Sequence, residues 1–253
     1  MMSTSFTFHN WISVWILVAL IIVPFAIFVK APYGRHSRKG WGTLIENNIG
    51  WFLMELPTVI ICPLIYFYGT ADKSIVTHCF ILIFMFHYIN RVFIYPFRIH
   101  TTGKKIPLLI VLSAFTFNFI NGFNIGYEFG FIKVVQLSWF GSWQFIVGIC
   151  MFFLGVIINW KSDRILINLR QPGETDYKIP QGFLFKYISC PNHFGELIEW
   201  LGFAILTWSM SGFAFFIWTA SNLIPRSLNH HQWYQDQFEQ YPKNRKAVFP
   251  KVL

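Results

Sequence analysis

Repeated apolar runs of membrane-crossing length leave few folds open to this chain. The stretches 11–29, 51–68, 74–97, 106–127 and 143–168 each reach or approach the roughly 20 residues that a helix needs to cross the hydrocarbon of a bilayer. A further apolar block, Leu197–Ile224, exceeds one span and is interrupted at Ser209-Met210-Ser211-Gly212. It predicts a tight helical hairpin, 197–209 followed by 212–235, with the second helix continuing past Arg226 into water. In lipid every backbone polar group must find its partner within the protein, so runs of this length are expected to be helices, with Pro24 a tolerated kink. The expected fold class is an all-α integral membrane protein in a single domain over 1–253, with seven transmembrane helices. Composition agrees, because only 12% of residues are charged and 55% are hydrophobic, whereas an ordinary soluble domain carries about 25% charge.

A net charge of +9 raises the question of nucleic acid, but its distribution answers it. Of 20 Lys and Arg, 4 fall in 30–50, 3 in 98–105, 5 in 161–195 and 5 in 225–253. Those loops alternate with loops that hold only Lys73 and Lys133, which is the bias that sets membrane orientation. Only an odd number of spans puts all four basic segments on one side, hence seven rather than six. The C-terminus is then cytosolic and the N-terminus periplasmic or lumenal, in an inner membrane or an endoplasmic reticulum. No nucleic-acid partner is needed to explain the charge.

Cys62, Cys79, Cys150 and Cys190 have no C-x-x-C spacing and read as small hydrophobes. The N-terminus has no basic n-region and its apolar run continues to spanning length, which argues against a cleaved signal. Neither a P-loop nor a G-x-G-x-x-G after a strand is present, so a Rossmann domain is not expected.

Polar residues inside the apolar frame carry the functional expectation. Glu55 lies in the second predicted helix, and a carboxylate there is by default a functional hypothesis. In the third, Tyr88, Arg91 and Tyr95 stand at i, i+3 and i+7 and share one face, next to His87. An Arg in such a stripe requires a counter-charge, from Glu55, a phosphate or both. Asn159, Asp163 and Arg170 share a face if the fifth helix persists. Asn192, Glu196 and Glu199 begin the sixth, and Asn222, Arg226, His230 and Tyr234 recur at every fourth residue of the seventh. Three polar rows on one membrane side suggest the walls of a single pocket. Arg suits phosphate through paired donors, and Asp or Asn suits sugar hydroxyls. His9, His78, His100 and His231 read as interfacial or core residues, and no spacing makes a metal site.

One stretch carries a family resemblance. Asn159 and Asp163 are followed by Arg170-Gln171-Pro172-Gly173-Glu174 and then by Tyr177-Lys178-Ile179-Pro180-Gln181-Gly182. This resembles the steroid 5α-reductases, NADPH-dependent membrane enzymes. Collinear matches run from about residue 30 to the end. They include Pro32-Tyr33-Gly34-Arg35-His36, Trp51 through Pro57, His87-Tyr88 with Arg91, and Asn121-Gly122 with Gly126-Tyr127. Arg226, His230-His231, Tyr234 and Tyr241-Pro242-Lys243-Asn244-Arg245-Lys246 complete them.

The resemblance implies cytosolic loops closing over a cofactor pocket, and reduction of the carbon–carbon double bond of a 3-oxo-Δ4 steroid or similar hydrophobic enone. Hydride from NADPH would reach the β-carbon while Tyr88 and Glu55, the catalytic pair, polarise the ketone, with Trp51 beside the substrate. It assigns Asn159, Asp163, Arg170, Asn192, Glu196, Arg226, His230 and Tyr234 to the NADPH site, with Tyr33, Arg35, His87, Arg91, Tyr177 and Lys178 as further members. Loop 98–105 departs from the animal enzymes, so no contact is carried over there. Three other readings stay open: a reductase of enoyl thioesters or sterol double bonds, an isoprenylcysteine-type methyltransferase using S-adenosylmethionine, and a lipid-binding or receptor-like seven-helix protein.

Overall fold

A computed structural model describes residues 2–100, 103–170, 174 and 176–253. The Gln171-Pro172-Gly173 part of the motif, Thr175, and Thr101-Thr102 of loop 98–105 lie outside the described residues. The chain runs α1 (Met2–Phe28), β1 (Leu44–Glu46), α2 (Asn47–Tyr68), α3 (Ile75–Ile89), α4 (Tyr95–Arg98), β2 (Lys105–Pro107), α5 (Leu108–Tyr127), α6 (Trp143–Ile167), α7 (Pro191–Thr207) and α8 (Met210–Gln237).

Among the described residues, five helical segments are long and apolar enough to cross a membrane: Ser5–Phe28, Asn47–Tyr68, Ile75–Arg98, Leu108–Ile132 and Trp143–Ile167. The chain is therefore a mainly helical protein of membrane type. α1 shows why: Leu17, Ile21 and Phe25 are all more than half exposed, a face that water would penalise and lipid accepts. α7 is shorter, at 17 residues, and α8 turns from apolar to polar at Asn222.

Two features lie outside the all-helical expectation. β1 and β2 pair antiparallel, Leu44 with Pro107 and Glu46 with Lys105. Asn47 N–H donates to the Lys104 carbonyl at 3.0 Å and Leu108 N–H to the Thr43 carbonyl at 2.8 Å. This two-stranded clasp joins the starts of α2 and α5 at one level. In addition, the third apolar segment is not one regular helix: a π-helical turn, Asn90–Ile94, separates α3 from α4. Such turns insert a residue into the helical ladder and are frequent at functional sites; here it holds Arg91.

Small residues bring two helix pairs close enough to build the site. Without a hydrophobic drive between helices in lipid, close backbone approach supplies the packing. Along the α6–α7 seam, a Cβ at Gly195 would lie 2.5 Å from Asn159 N, and one at Gly155 would collide with Glu199 N. On the α2–α5 seam, a Cβ at Gly126 would lie 2.5 Å from the Cys62 carbonyl oxygen.

The α7–α8 hairpin turns where the sequence is interrupted. Trp208 takes the left-handed conformation (φ 45°, ψ 47°) that ends α7, and Ser209 Oγ accepts from Gly212 N–H at 3.1 Å to start α8. Two charged side chains grip the turn. Glu128 accepts from Ser211 N–H at 2.7 Å and Met210 N–H at 3.2 Å, while Lys133 donates to the Thr207 carbonyl at 2.8 Å. A carboxylate at a helix start and an ammonium at a helix end both complement the helix dipole.

Candidate functional site

α3 and α5 face each other across α2, and their polar groups meet over its first half. Tyr88 Oη donates to Asn118 Oδ1 at 3.2 Å. Asn118 Nδ2 donates to the Met54 carbonyl at 2.7 Å and to Glu55 Oε2 at 3.2 Å. Thr58 Oγ1 lies 3.2 Å from the same Asn118 Oδ1. Tyr88 and Glu55 are thus linked through one amide. Beneath them, Phe84, Trp200 and Phe215 form an aromatic floor, with the Phe84 and Tyr88 ring centroids 5.0 Å apart.

Arg91 has the counter-charges its position demands. Its guanidinium is within 3.9 Å of Glu55 and Glu196 and 3.8 Å of Asp163. It also lies over the rings of Trp51 and Tyr95, at 5.1 and 4.5 Å from their centroids. Three carboxyl groups from three helices therefore converge on one cation. Asn159 locks this arrangement, since Nδ2 donates to Glu196 Oε1 at 3.2 Å and to the Asn192 carbonyl at 3.1 Å. His87 lines the same site but is not paired with these carboxyl groups; its Nδ1 lies 2.7 Å from the fully buried Glu199.

Two cavities adjoin here. The first, about 370 Å³, has Glu55, Tyr88 and Trp51 against Phe117, Trp218 and Leu223; its exposed wall is mainly apolar, with polar side chains such as Arg91, Glu196, Asn222 and Asn229 among the lining. The second, about 560 Å³, is lined by Arg35, Lys104, Lys105, Arg170, Tyr177 and His230. Tyr33, Trp51 and Arg226 line both and form the junction.

The second cavity is strongly cationic, with Arg35, Lys104, Lys105, Arg170 and Arg226 in its lining. Three cations surround the Tyr177 ring: Arg35 at 5.6 Å, Lys104 at 5.1 Å and Arg170 at 5.2 Å from its centroid. Arg35 also lies over Trp233 and Tyr234 at 4.9 and 4.6 Å, and Arg226 over Tyr33 at 5.0 Å. Among the described residues, Nη1 of Arg35 and Nη1 of Arg170 are buried without a hydrogen-bond partner. A buried donor left unpaired costs free energy, more so when it is charged, and phosphate oxygens match that need. Burial, then the neighbouring Arg170 and Arg35, lowers the Lys104 ammonium below its ordinary range. His36 stacks on His230 with centroids 5.2 Å apart and Nε2 3.2 Å from His230 Nδ1. Burial, with Arg35, Lys30 and Arg226 adding to it, holds the His36 imidazole at about 4.

Most of the residues singled out in the sequence are brought to these two cavities or stand directly behind them. Asn159, Asp163 and Asn192 form the wall behind Arg91 and Glu196, and Tyr234 lies beneath Arg35. α6 ends at Ile167, so Arg170 reaches the second cavity from the following turn rather than on the helical face expected for it. Lys178 is exposed and pairs with Glu174 at 2.6 Å, away from both cavities. Several participants were not singled out, Lys104 and Asn118 among them. Lys104 lies in the loop whose contacts were left unassigned. Asn118 sits in α5, where the signal was an amide within a spanning helix.

Comparison with known proteins then places the chain. The family model described as 3-oxo-5-alpha-steroid 4-dehydrogenase matches residues 104–253. The steroid 5-alpha-reductase DET2 of Gossypium hirsutum is 37% identical over 260 residues, covering 100% of both chains. The Arabidopsis thaliana DET2 is 41% identical, covering 89% of this chain and 88% of its own. The 3-oxo-5-alpha-steroid 4-dehydrogenase 1 of Rattus norvegicus is 39% identical, covering 89% of this chain and 87% of its own.

Proposed function

Since the chain belongs to the steroid 5α-reductase family, we propose that it is an NADPH-dependent oxidoreductase that saturates the carbon–carbon double bond of a 3-oxo-Δ4 steroid or a similar hydrophobic enone. One observation carries this reading. A mainly apolar chamber holding Tyr88 and Glu55 adjoins, across Tyr33, Trp51 and Arg226, a cationic chamber with two guanidinium nitrogens that have no partner among the described residues. A flat oily substrate fits the first and a phosphorylated dinucleotide the second.

The residues present suit the dinucleotide. Arg35 and Arg170 would take phosphate oxygens, with Lys104, Arg226 and His230 beside them. Asp163, Glu196, Asn159 and Asn192 would serve its sugar and amide end next to Arg91. Bound there, NADPH supplies the hydride that reduces the β-carbon of the enone. The protein's own part is electrostatic. Reduction at the β-carbon moves negative charge onto the ketone oxygen, the Tyr88 hydroxyl donates a hydrogen bond to that developing enolate, and a proton from solvent at the α-carbon would complete the saturated ketone. A donor aimed at such charge contributes about 2.7–4 kcal/mol to the rate. Arg91 offsets the charge of Glu55, Asp163 and Glu196 within the wall, and Phe117 and Trp218 exclude water from the reacting face.

In this reading α7 and α8 are the sixth and seventh spans, and the basic loops and the tail share the cytosolic side of an inner membrane or endoplasmic reticulum. The decisive experiment is turnover by purified protein with NADPH against a panel of enones, with thermal stabilisation by NADPH and by S-adenosylmethionine as the parallel measurement. Double-bond reduction and stabilisation by NADPH alone are expected. Stabilisation by S-adenosylmethionine, or by neither, would overturn the proposal.

A further inference from the structure

We propose that Asn118 is a positioning residue for the reduction: its carboxamide holds the Tyr88 hydroxyl and the Glu55 carboxylate in fixed register and bars proton transfer between them. This rests on the enone-reductase reading above.

The orientation of the amide follows from its partners. The Met54 carbonyl, 2.7 Å away, can only accept, so the nitrogen must face it. Nδ2 then donates its second hydrogen to Glu55 Oε2 at 3.2 Å, and that carboxylate oxygen accepts. Oδ1 is left facing Tyr88 Oη and Thr58 Oγ1, both at 3.2 Å, so the tyrosine hydroxyl donates to it, while the single Thr58 proton is shared between Oδ1 and the Asn118 main-chain carbonyl at 3.3 Å. Both amide hydrogens and the carbonyl oxygen thus have partners, and the residue is 4% exposed.

Three consequences follow. First, the Tyr88 proton has a defined resting place on Asn118 Oδ1. When a ketone oxygen enters the chamber, the hydroxyl swings from the amide to the ketone. The Thr58 hydroxyl, shared until then with the Asn118 main-chain carbonyl, can turn fully to Oδ1, so the buried side-chain carbonyl is not left bare and the desolvation cost is reduced. Second, a carboxamide has no ionisable proton at neutral pH, so the bridge between Glu55 and Tyr88 conducts none. Glu55 then acts on Tyr88 through charge and geometry, and Tyr88 alone meets the enolate oxygen. Third, the register depends on α5 lying close to α2. Gly122 and Gly126, one and two turns beyond Asn118, permit that approach, with a Cβ at Gly122 only 3.2 Å from Thr58 Cα.

The test compares two variants by kcat for a 3-oxo-Δ4 steroid at saturating NADPH, from pH 5 to 9, alongside the Kd for NADPH. Asn118→Leu keeps the branched shape and the number of heavy atoms and removes every hydrogen bond of the side chain. It should lower kcat at least about tenfold while moving the NADPH Kd less than about twofold. Asn118→Asp keeps the acceptor for Tyr88 and replaces the donor to Glu55 with an acid. Its kcat should approach wild type at low pH, where the new carboxyl is protonated and can donate, and fall as pH rises. A purely structural role predicts a lower melting temperature for both variants and no new ionisation in the Asn118→Asp profile. That profile superimposing on wild type, or Asn118→Leu within about twofold of wild-type kcat, overturns the proposal. If wild type reduces no enone, it is the functional reading that falls, whereas normal wild-type turnover with either of those two results overturns the positioning role alone. Tyr88→Phe and Glu55→Gln should be non-additive in a double-mutant cycle, and additivity there overturns it.

Discussion

Asn159 Nδ2 lies 3.2 Å from Glu196 Oε1 across the α6–α7 seam, and this bond fixes how one face of α7 meets the end of α6. It exists because Gly195 and Gly155 let the two backbones approach until a Cβ on either would overlap its neighbour. Glu196 in turn helps hold Arg91, so helix packing and site geometry are one problem.

Gly195→Ala therefore should damage both. Overpacking of this kind costs about 1–3 kcal/mol. The expected outcome is a lower melting temperature and a clear loss of NADPH affinity by titration. Gly141→Ala, at a position with nothing within 4 Å of its Cβ, is the control and should change neither.

Arg170→Ala tests the cationic chamber. Hydrogen bonds to charged groups contribute about 1.5–3 kcal/mol, so the KM for NADPH should rise roughly ten- to hundredfold. The KM for the enone should stay within about threefold. Steady-state kinetics with each substrate varied in turn reads the difference, and equal effects on both would argue against a phosphate contact.

Tyr88→Phe removes the hydroxyl proposed to meet the enolate and leaves the ring on Phe84 and Trp200. Turnover should fall about 10²–10³-fold while NADPH binding is nearly retained. Glu55→Gln should also reduce turnover sharply with binding intact. A loss of NADPH binding as large as the loss of turnover would contradict the role given to either residue.

His36 gives a signed pH prediction. Its ordinary value is 6.5 and its folded value about 4. Above the higher figure the imidazole is neutral whether the chain is folded or unfolded, and it adds no pH dependence. As pH falls from there toward about 4, the unfolded chain takes up a proton that the folded chain refuses, so stability declines across that window. In detergent, the wild-type melting temperature should drop relative to His36→Gln as pH falls from 7 toward 4. Parallel curves would rule the effect out.

The sequence alone determined a great deal of this protein. Apolar length fixed five helices, because the need to satisfy every backbone group in lipid leaves so little choice. The interruption at Ser209–Gly212 marked the α7–α8 turn, and Arg91 in an aromatic stripe announced that counter-charges must converge on it. The spacing of Asn222, Arg226 and His230 put them on successive turns of α8, from the first cavity to the second. These are local signals, carried by residues close together in the chain.

Tertiary structure decided what depends on distance across the chain. That Arg91 has Asp163 and Glu196 beside Glu55 follows from α6 and α7 closing on α3, and no periodicity encodes it. The β1–β2 clasp pairs strands some 60 residues apart, each only three residues long and too short to signal itself. Lys104 became a wall of the cationic chamber only when that clasp set its loop beside Arg35 and Arg170. Asn118 lies 30 residues from Tyr88 and 63 from Glu55. A single amide in an apolar helix states that a partner is needed, but three-dimensional packing alone selects which one.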